Sequence, residues 1–422
     1  PVQQTHAPSP ECRQPVSTYR LQLTPDFTFS DAVNVLPYLK KLGVTDIYCS
    51  PILQAAPGSM HGYDVVDHTK ISESLGGRLA FQRLADAAHA NGMGVVVDVV
   101  PNHMAVPTPL YLNRALWSVL RDGSDSPYVN WFDIELSSAR DGLLMPVLGS
   151  RIGTVLANGE ISLETMVVPG FEDDGEQPVV RYYEHVFPVR AQTEALPLAE
   201  LLDQQYYRLA YWRVAEDELN YRRFFDVDTL AAIRVEEPEV FDQSHALLLD
   251  LYAGGYIDGF RIDHPDGLAD PRQYFKRLHR ATDGAWIVAE KILEGDEELP
   301  GDWRCSGTTG YDASWRIGSL LTDPSGVGPL LAQYVEMSGT TKSLGALESE
   351  AKRQILETSL TAELERLTDL MVGVCHADLR LRDHTRRTLR EALSALIVEM
   401  DRYRAYVVPR ERPSQVAEQA LV

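Results

Sequence analysis

From Ser17 onward the apolar positions switch repeatedly between two periods. Thr18-Tyr-Arg-Leu-Gln-Leu23 alternates and is rich in β-favouring residues, which predicts a strand. Val33, Leu36, Leu39 and Leu42 then recur at helical spacing, with Ser30 placed as N-cap and Gly43 as the stop. Val44–Cys49 reads as the next strand, and Leu79–Ala90 as a helix closed by Asn91-Gly92. Val95–Val100 reads as a strand buried on both faces. Two strand–helix–strand steps in succession predict a parallel sheet with helices outside it.

The alternation breaks at Met104. As far as about Arg234 the chain reads as irregular, with turn clusters at Asp122–Pro127 and Glu172–Glu176. A stretch of that length between two strands is expected to be an inserted subdomain. A helix over Pro238–Ala253 returns the chain to the sheet, strands follow at Tyr256–Ile262 and Ala285–Ala289, and Gly307–Gly310 reads as a turn after a weakly patterned sixth strand. Beyond about Gly328 the pattern is helical, over Leu347–Leu356, Leu360–Cys375 and Arg386–Met400. No seventh or eighth strand is legible. The expected division is 1–103 and 235–327 for the sheet-bearing unit, 104–234 for the insertion and 328–422 for a helical region.

Charge narrows the function classes. The 39 Lys plus Arg against 61 Asp plus Glu give −22, a surface that repels phosphate backbones and anionic lipids. Nucleic-acid and membrane-surface binding are therefore not expected, whereas a neutral sugar meets no penalty; solubility explains the same charge equally well. Cys12, Cys49, Cys305 and Cys375 are scattered without metal or redox spacing, which fits a reduced cytoplasmic setting. Pro1–Pro15 is polar and proline-rich, without the apolar core of a secretory signal, and is expected to be a floppy leader.

Three strand ends carry candidate chemistry, and in a parallel barrel the carboxyl ends of strands hold the active site. Asp98-Val-Val-Pro-Asn102-His103 runs from an apolar strand into polar residues, although alone it fits a strand-terminating turn. In Gly259-Phe-Arg261-Ile-Asp263-His264, Arg261 and Asp263 are two apart and share a face. A guanidinium there favours an ionised carboxylate, as a nucleophile needs; a buried structural ion pair explains the segment equally well. Ile287-Val-Ala-Glu290 ends a strand in an acid whose pKa rises if it is sheltered; a solvent-facing Glu is the plainer reading. Together, two carboxylates 27 residues apart on consecutive strands can face each other across a barrel mouth. A separation of roughly 5–5.5 Å would give a retaining double displacement.

These segments resemble three of the four short motifs of the α-amylase clan, in order. Further stretches are similar to the maltooligosyltrehalose synthase family: Ser17–Leu23, Ser50–Leu53 through Gly58–Asp64, Leu219–Phe225, Gly307–Asp312 and Tyr403–Tyr406. The resemblance implies a (β/α)₈ barrel, incomplete in this chain, with a subdomain inserted after strand three and a helical C-terminal region. It implies Asp263 as nucleophile, Glu290 as general acid/base and Arg261 as the group holding Asp263 ionised and aligned. Tyr63 would stack on the transferred sugar, His103 would hydrogen-bond it and Asp64 would contact its hydroxyls, with His264 beside them. Asp98 and Asn102 look like scaffold for this binding group. In some relatives the Asn position helps bind calcium; no calcium loop is evident here, and neither metal nor cofactor is expected.

The implied reaction is an intramolecular transglycosylation of a maltooligosaccharide, turning its reducing-end α-1,4 linkage into an α,α-1,1 linkage. That reaction needs a pocket closed to water, and Tyr206-Tyr207 through Tyr211-Trp212 to Phe224-Phe225 is the candidate wall, though each ring alone fits plain subdomain core. The clan's fourth motif is not found: His376-Ala-Asp378 lies in a helical pattern and Asp383-His384 reads as a helix start. The expectation is a fragment of a longer protein, or a processed or engineered piece. An α-1,4-glucan hydrolase of the same clan is the alternative enzyme, and a non-catalytic glucan-binding module is the alternative class.

Overall fold

The computed structural model describes residues 13–134, 142–295, 297–408, 410–413 and 417–418; Cys12 and most of the Pro1–Pro15 leader lie outside them. Six parallel strands form one sheet: β1 (Thr18–Leu21), β2 (Asp46–Cys49), β3 (Gly94–Val99), β4 (Gly259–Ile262), β5 (Trp286–Ala289) and β6 (Gly307–Thr308). Spatial order follows chain order, the winding of a barrel wall. Among the described residues this sheet has no seventh or eighth strand.

Helices α1 (Phe29–Leu42), α2 (Gly77–Ala90), α3 (Pro238–Ala253) and α4 (Pro271–Ala281) contribute to the main core. Their Leu36, Leu39, Phe81, Leu84, Leu248 and Phe275 share one buried cluster with Ile47, Val95, Val97, Phe260 and Ile287 of the strands. Strand side chains alternate faces, so sending these to the helices turns Tyr48, Val96, Asp98, Arg261 and Val288 to the other face. The alternation thus puts charge at the strand ends of the inner face.

Several boundaries differ from the expected ones. The first helix starts at Phe29 and is capped by Thr28, not Ser30, because Asp31 Oδ2 accepts the Thr28 backbone N–H at 2.9 Å. Gly43 ends it at φ 89°, as a left-handed cap requires. Gly307–Thr308, read as a turn, is itself the sixth strand, pairing Val288 and Ala289. Two residues are too few to show a period, and Gly310 at φ 97° then leads directly into a helix, α5 (Tyr311–Leu321).

The described residues between Met104 and Arg234 are not irregular. Ile161–Val167, Glu176–Tyr182 and His185–Pro188 form an antiparallel sheet, and Leu143–Leu148 pairs in parallel with Tyr207–Tyr211. His103–Ala105, Val227–Ala232 and Arg223–Phe224 form a third small sheet, directly above β3 in the chain. A second core, including Trp117, Leu144, Val180, Phe187 and Tyr221, serves this region. The pairings of Leu143–Leu148 with Tyr207–Tyr211 and of His103–Ala105 with Val227–Ala232 join distant segments and leave no local pattern to read, whereas the antiparallel strands from Ile161 to Pro188 are neighbours in sequence and the irregular reading simply misses them.

Among the described residues four further helices follow α5: α6 (Val327–Ser338), α7 (Leu344–Glu357), α8 (Thr361–Ala377) and α9 (Arg386–Glu399). Their own core is small, built on Leu356, Leu364 and Val398. His376 ends α8 with Asp378 as its C-cap, while Thr385, not Asp383, caps α9 through its side chain. Among the described residues no helix is long and apolar enough to cross a membrane.

Candidate active site

The register of β3 against β4 makes Asp98 and Arg261 direct partners, and β4 places Arg261 opposite Val288 of β5. The strand ladder continues past β4, with Asp263 N–H donating to Val99 O and Glu290 N–H to Ile262 O, both at 2.9 Å. Asp98, Arg261, Asp263 and Glu290 therefore come together on three adjacent strand ends. Arg261 Nη1 donates to Asp98 Oδ1 and Asp263 Oδ1, each at 2.7 Å, and its Nη2 lies 2.5 Å from Glu290 Oε1. One guanidinium thus joins both predicted catalytic carboxylates to the scaffold carboxylate.

The electrostatics follow from one cation shared by three acids. Burial works against the Arg261 charge, but Asp98, Asp263 and Glu290 outweigh it and hold its pKa above the ordinary value. Burial pushes Asp263 up to about 7, with Arg261 pulling the other way and Asp98 and Glu290 adding to the rise. Arg261 does favour the ionised form of Asp263, as expected, but its charge is divided among three carboxylates and burial outweighs it. Asp98 is likewise raised by burial against Arg261 and the hydroxyls of Tyr48 and Tyr63, which donate to its Oδ2 at 2.5 and 2.7 Å. Glu290 is paired rather than simply sheltered, for its Oε2 also accepts the His264 backbone N–H at 3.1 Å. His264 adopts a left-handed backbone, φ 40° and ψ 56°, uncommon for a residue with a side chain and frequent at functional sites.

Above this layer lies a cavity of about 590 Å³ lined by Asp263, Glu290, Tyr63, His103, His264 and Phe224 among others. That volume suits a sugar ring with its neighbours, and its rings suit stacking on sugar faces. Two predicted binders, His103 and Asp64, are placed differently from the expectation. His103 lines the cavity, but its Nε2 lies 3.2 Å from the Tyr63 carbonyl, so a sugar must compete for that proton. Burial pushes its pKa down to about 3, leaving a neutral ring. Asp64 is not on the wall; Ser59 Oγ donates to its Oδ1 at 2.5 Å within the loop. Asn102 and Asp98 are buried and do not line the cavity, as the expected scaffold role requires. Asn102 Oδ1 accepts from Arg222 Nη1 at 2.9 Å, which also donates to Gly267 O at 2.8 Å, and the Asn102 amide and His264 ring leave no room for a Cβ at Gly267.

Of the predicted aromatic wall, only Phe224 and Phe225 reach the cavity. Tyr207 is buried in the second core, and Trp212 is half exposed elsewhere. Phe224 packs on His103 and His264 at ring distances of 4.7 and 5.1 Å. Sequence reasoning assigned no role to Asp266, Ile292 or Tyr403, which also line the cavity. Tyr403 was visible only within a resembling stretch; its ring sits 5.8 Å from that of His264, across 139 residues of chain. Among the described residues no group of three or more His, Cys, Asp or Glu is placed to hold a metal.

A family model described as "Alpha amylase, catalytic domain" matches residues 31–288. A Mycobacterium tuberculosis protein with the provisional name maltooligosyl trehalose synthase is 39% identical over 404 residues, covering 92% of this chain and 48% of its own. The solved structure of maltooligosyltrehalose synthase from Arthrobacter ramosus is 40% identical with a TM-score of 0.81, covering 90% of this chain and 48% of that one. A Sulfolobus tokodaii structure, described as a hypothetical maltooligosyl trehalose synthase, is 33% identical with a TM-score of 0.79, at 97% and 52% coverage. This chain spans about half the length of the curated relatives it matches over most of its length. The family model covers more than half of the chain, and the strand ends it encloses carry the Asp98–Arg261–Asp263 layer: the chain belongs to the α-amylase catalytic-domain family.

Proposed function

We propose that this polypeptide carries the catalytic carboxylate pair of an intramolecular transglycosylase that converts the reducing-end α-1,4 linkage of a maltooligosaccharide into an α,α-1,1 linkage. The observation that supports it most is the convergence of Asp263 and Glu290 on Arg261 at the floor of an aromatic-walled cavity. The names of the relatives favour this reaction over simple hydrolysis. We also read 104–234 as an inserted subdomain, supported by its separate core, and 328–422 as a helical region. A cytoplasmic location is proposed from the unpaired Cys49, Cys305 and Cys375.

In the first step Asp263 attacks the anomeric carbon of the penultimate glucose while Glu290 delivers a proton to the departing O4. The C1–O4 bond breaks, giving a covalent β-glycosyl-enzyme and a free reducing-end glucose. That glucose turns within the cavity, and its anomeric O–H attacks the same carbon; Glu290 takes the proton and Asp263 leaves as carboxylate. Two inversions give net retention. The starting state needs one proton on the carboxylate pair, and for two acids on one guanidinium that proton belongs to the pair. The raised pKa at Asp263 fits a site that holds such a proton near neutral pH.

Water competes with the bound hydroxyl, so the walls must close over it. Tyr63, Phe224, Phe225 and Tyr403 supply apolar faces there. Incubating the protein with maltopentaose tests the reading: reducing ends should disappear without chain shortening, and maltose and glucose as main products would contradict it.

A further inference from the structure

A second buried cation, Lys291, links the segments that follow β4 and β5. Lys291 directly follows Glu290, and its side chain is fully buried. Its Nζ lies 2.9 Å from Glu297, 3.4 Å from Asp266 Oδ2 and 3.0 Å from the Ile292 carbonyl. Both acids are buried too, at 6% and 8% exposure, so the ammonium is compensated from both sides. Asp266 stands three residues after Asp263, in the short helical turn that leaves β4. Its other carboxylate oxygen accepts from the Tyr406 hydroxyl, and Arg404 Nη1 donates to the Asp266 carbonyl at 2.7 Å.

The backbone explains why this cation bears on the acid. Lys291 N–H donates to Ala289 O at 2.9 Å, closing a three-residue turn with Glu290 at its apex. Arg261 and His264 N–H hold the two oxygens of the Glu290 carboxylate, and that turn sets the backbone from which the side chain reaches them. Anchoring Lys291 to Asp266 ties the turn to the loop that follows the nucleophile. Nothing in the transglycosylation chemistry uses Lys291 itself, since it does not line the cavity.

We propose that Lys291, through its buried pair with Asp266 and Glu297, is a positioning residue that sets the placement of Glu290 relative to Asp263. The proposal rests on the reading of Asp263 and Glu290 as the catalytic pair. Removing the cation alone strands two buried carboxylates, so the informative variant is the charge-free triple Lys291→Met/Asp266→Asn/Glu297→Gln, beside Lys291→Arg.

Turnover is compared on maltopentaose, whose leaving group needs a proton, and on α-maltosyl fluoride, whose fluoride leaves without one. The triple variant is expected to keep a cooperative thermal transition, and because Asp266 also lines the cavity, any change in KM should be shared by both substrates. Its kcat on maltopentaose should fall by about 100-fold, the scale of a misplaced catalytic group. On the fluoride, the first-turnover release of F⁻ as Asp263 attacks the anomeric carbon, read before the glycosyl-enzyme breaks down, should fall by less than about tenfold, and Lys291→Arg should restore part of the loss on maltopentaose. Equal losses on both substrates, no loss on either, or a triple variant that does not fold would each overturn the proposal. Asp263→Ala serves as the control: if wild type turns over neither substrate, or Asp263→Ala turns over as wild type does, it is the underlying catalytic reading that fails.

Discussion

In the sheet region, Leu36, Phe81 and Leu84 are sealed between helix and strand at no measurable exposure; in helix α5, Trp315, Leu320 and Leu321 stand 65%, 84% and 81% exposed. Helix α6 continues the contrast, with Leu330 at 68% and Met337 at 79%. Both regions follow the same three- and four-residue apolar spacing, so the periodicity reports a helix but not what lies against it. The sheet region places its polar residues at strand ends, where Arg261 gathers three acids; the helical region joins its acids to exposed arginines, as Glu365 is joined to Arg386 and Arg390. Burial is what turns a common pair of residue types into a site with perturbed chemistry.

The sharpest way to break this contrast is at the carboxylates. Asp263→Ala should lower maltooligosaccharide turnover by about 10⁴-fold or more, and Glu290→Gln by about 10²–10⁴-fold, read as kcat with the fold checked by circular dichroism. Acids of the helical region such as Glu365 should not matter at that scale, and a loss of similar size from Glu365→Gln would erase the distinction.

Stability should separate the regions next. Arg261→Met leaves Asp98, Asp263 and Glu290 without their shared cation and should cost about 3–5 kcal/mol in denaturant unfolding. Phe81→Ala, in the main core, should cost a similar 3–5 kcal/mol. Leu321→Ala should change stability by no more than about 0.5 kcal/mol, because its side chain is already in solvent.

The pH dependence sharpens the same point. Burial raises Asp263 from its ordinary value near 3.8 to about 7, so between those values the folded chain binds more protons than the unfolded one. Its contribution to stability is full below about pH 4 and is lost as pH rises through about 7. Asp263→Asn removes this group, so the variant's melting temperature relative to wild type should climb between pH 4 and pH 8. A difference that stays flat would mean that Asp263 is not perturbed by burial.

What the sequence made legible was the alternation along β3, β4 and β5. Once Val95, Val97, Phe260 and Ile287 face the helices, Asp98, Arg261 and Glu290 must face the other way, and charge there implies use. Hidden from it were contacts made across long stretches of chain. Tyr403 reaches His264, and Arg222 reaches Asn102, only through tertiary folding. Composition also misled: Tyr207 and Phe225 belong to one aromatic-rich segment, yet the first is core and the second is cavity wall. Asp64 sits beside Tyr63 in sequence, but Ser59 has taken its carboxylate.

The convergence of Asp263 and Glu290 on one sugar is tested most directly by trapping the covalent intermediate. Glu290→Gln protein treated with α-maltosyl fluoride can form the glycosyl-enzyme without an acid, while its breakdown is slowed for want of a base. Peptide mapping by mass spectrometry should find the maltosyl adduct on Asp263 and none in Asp263→Ala/Glu290→Gln. An adduct on any other side chain, or one that persists when Asp263 is gone, would contradict the account.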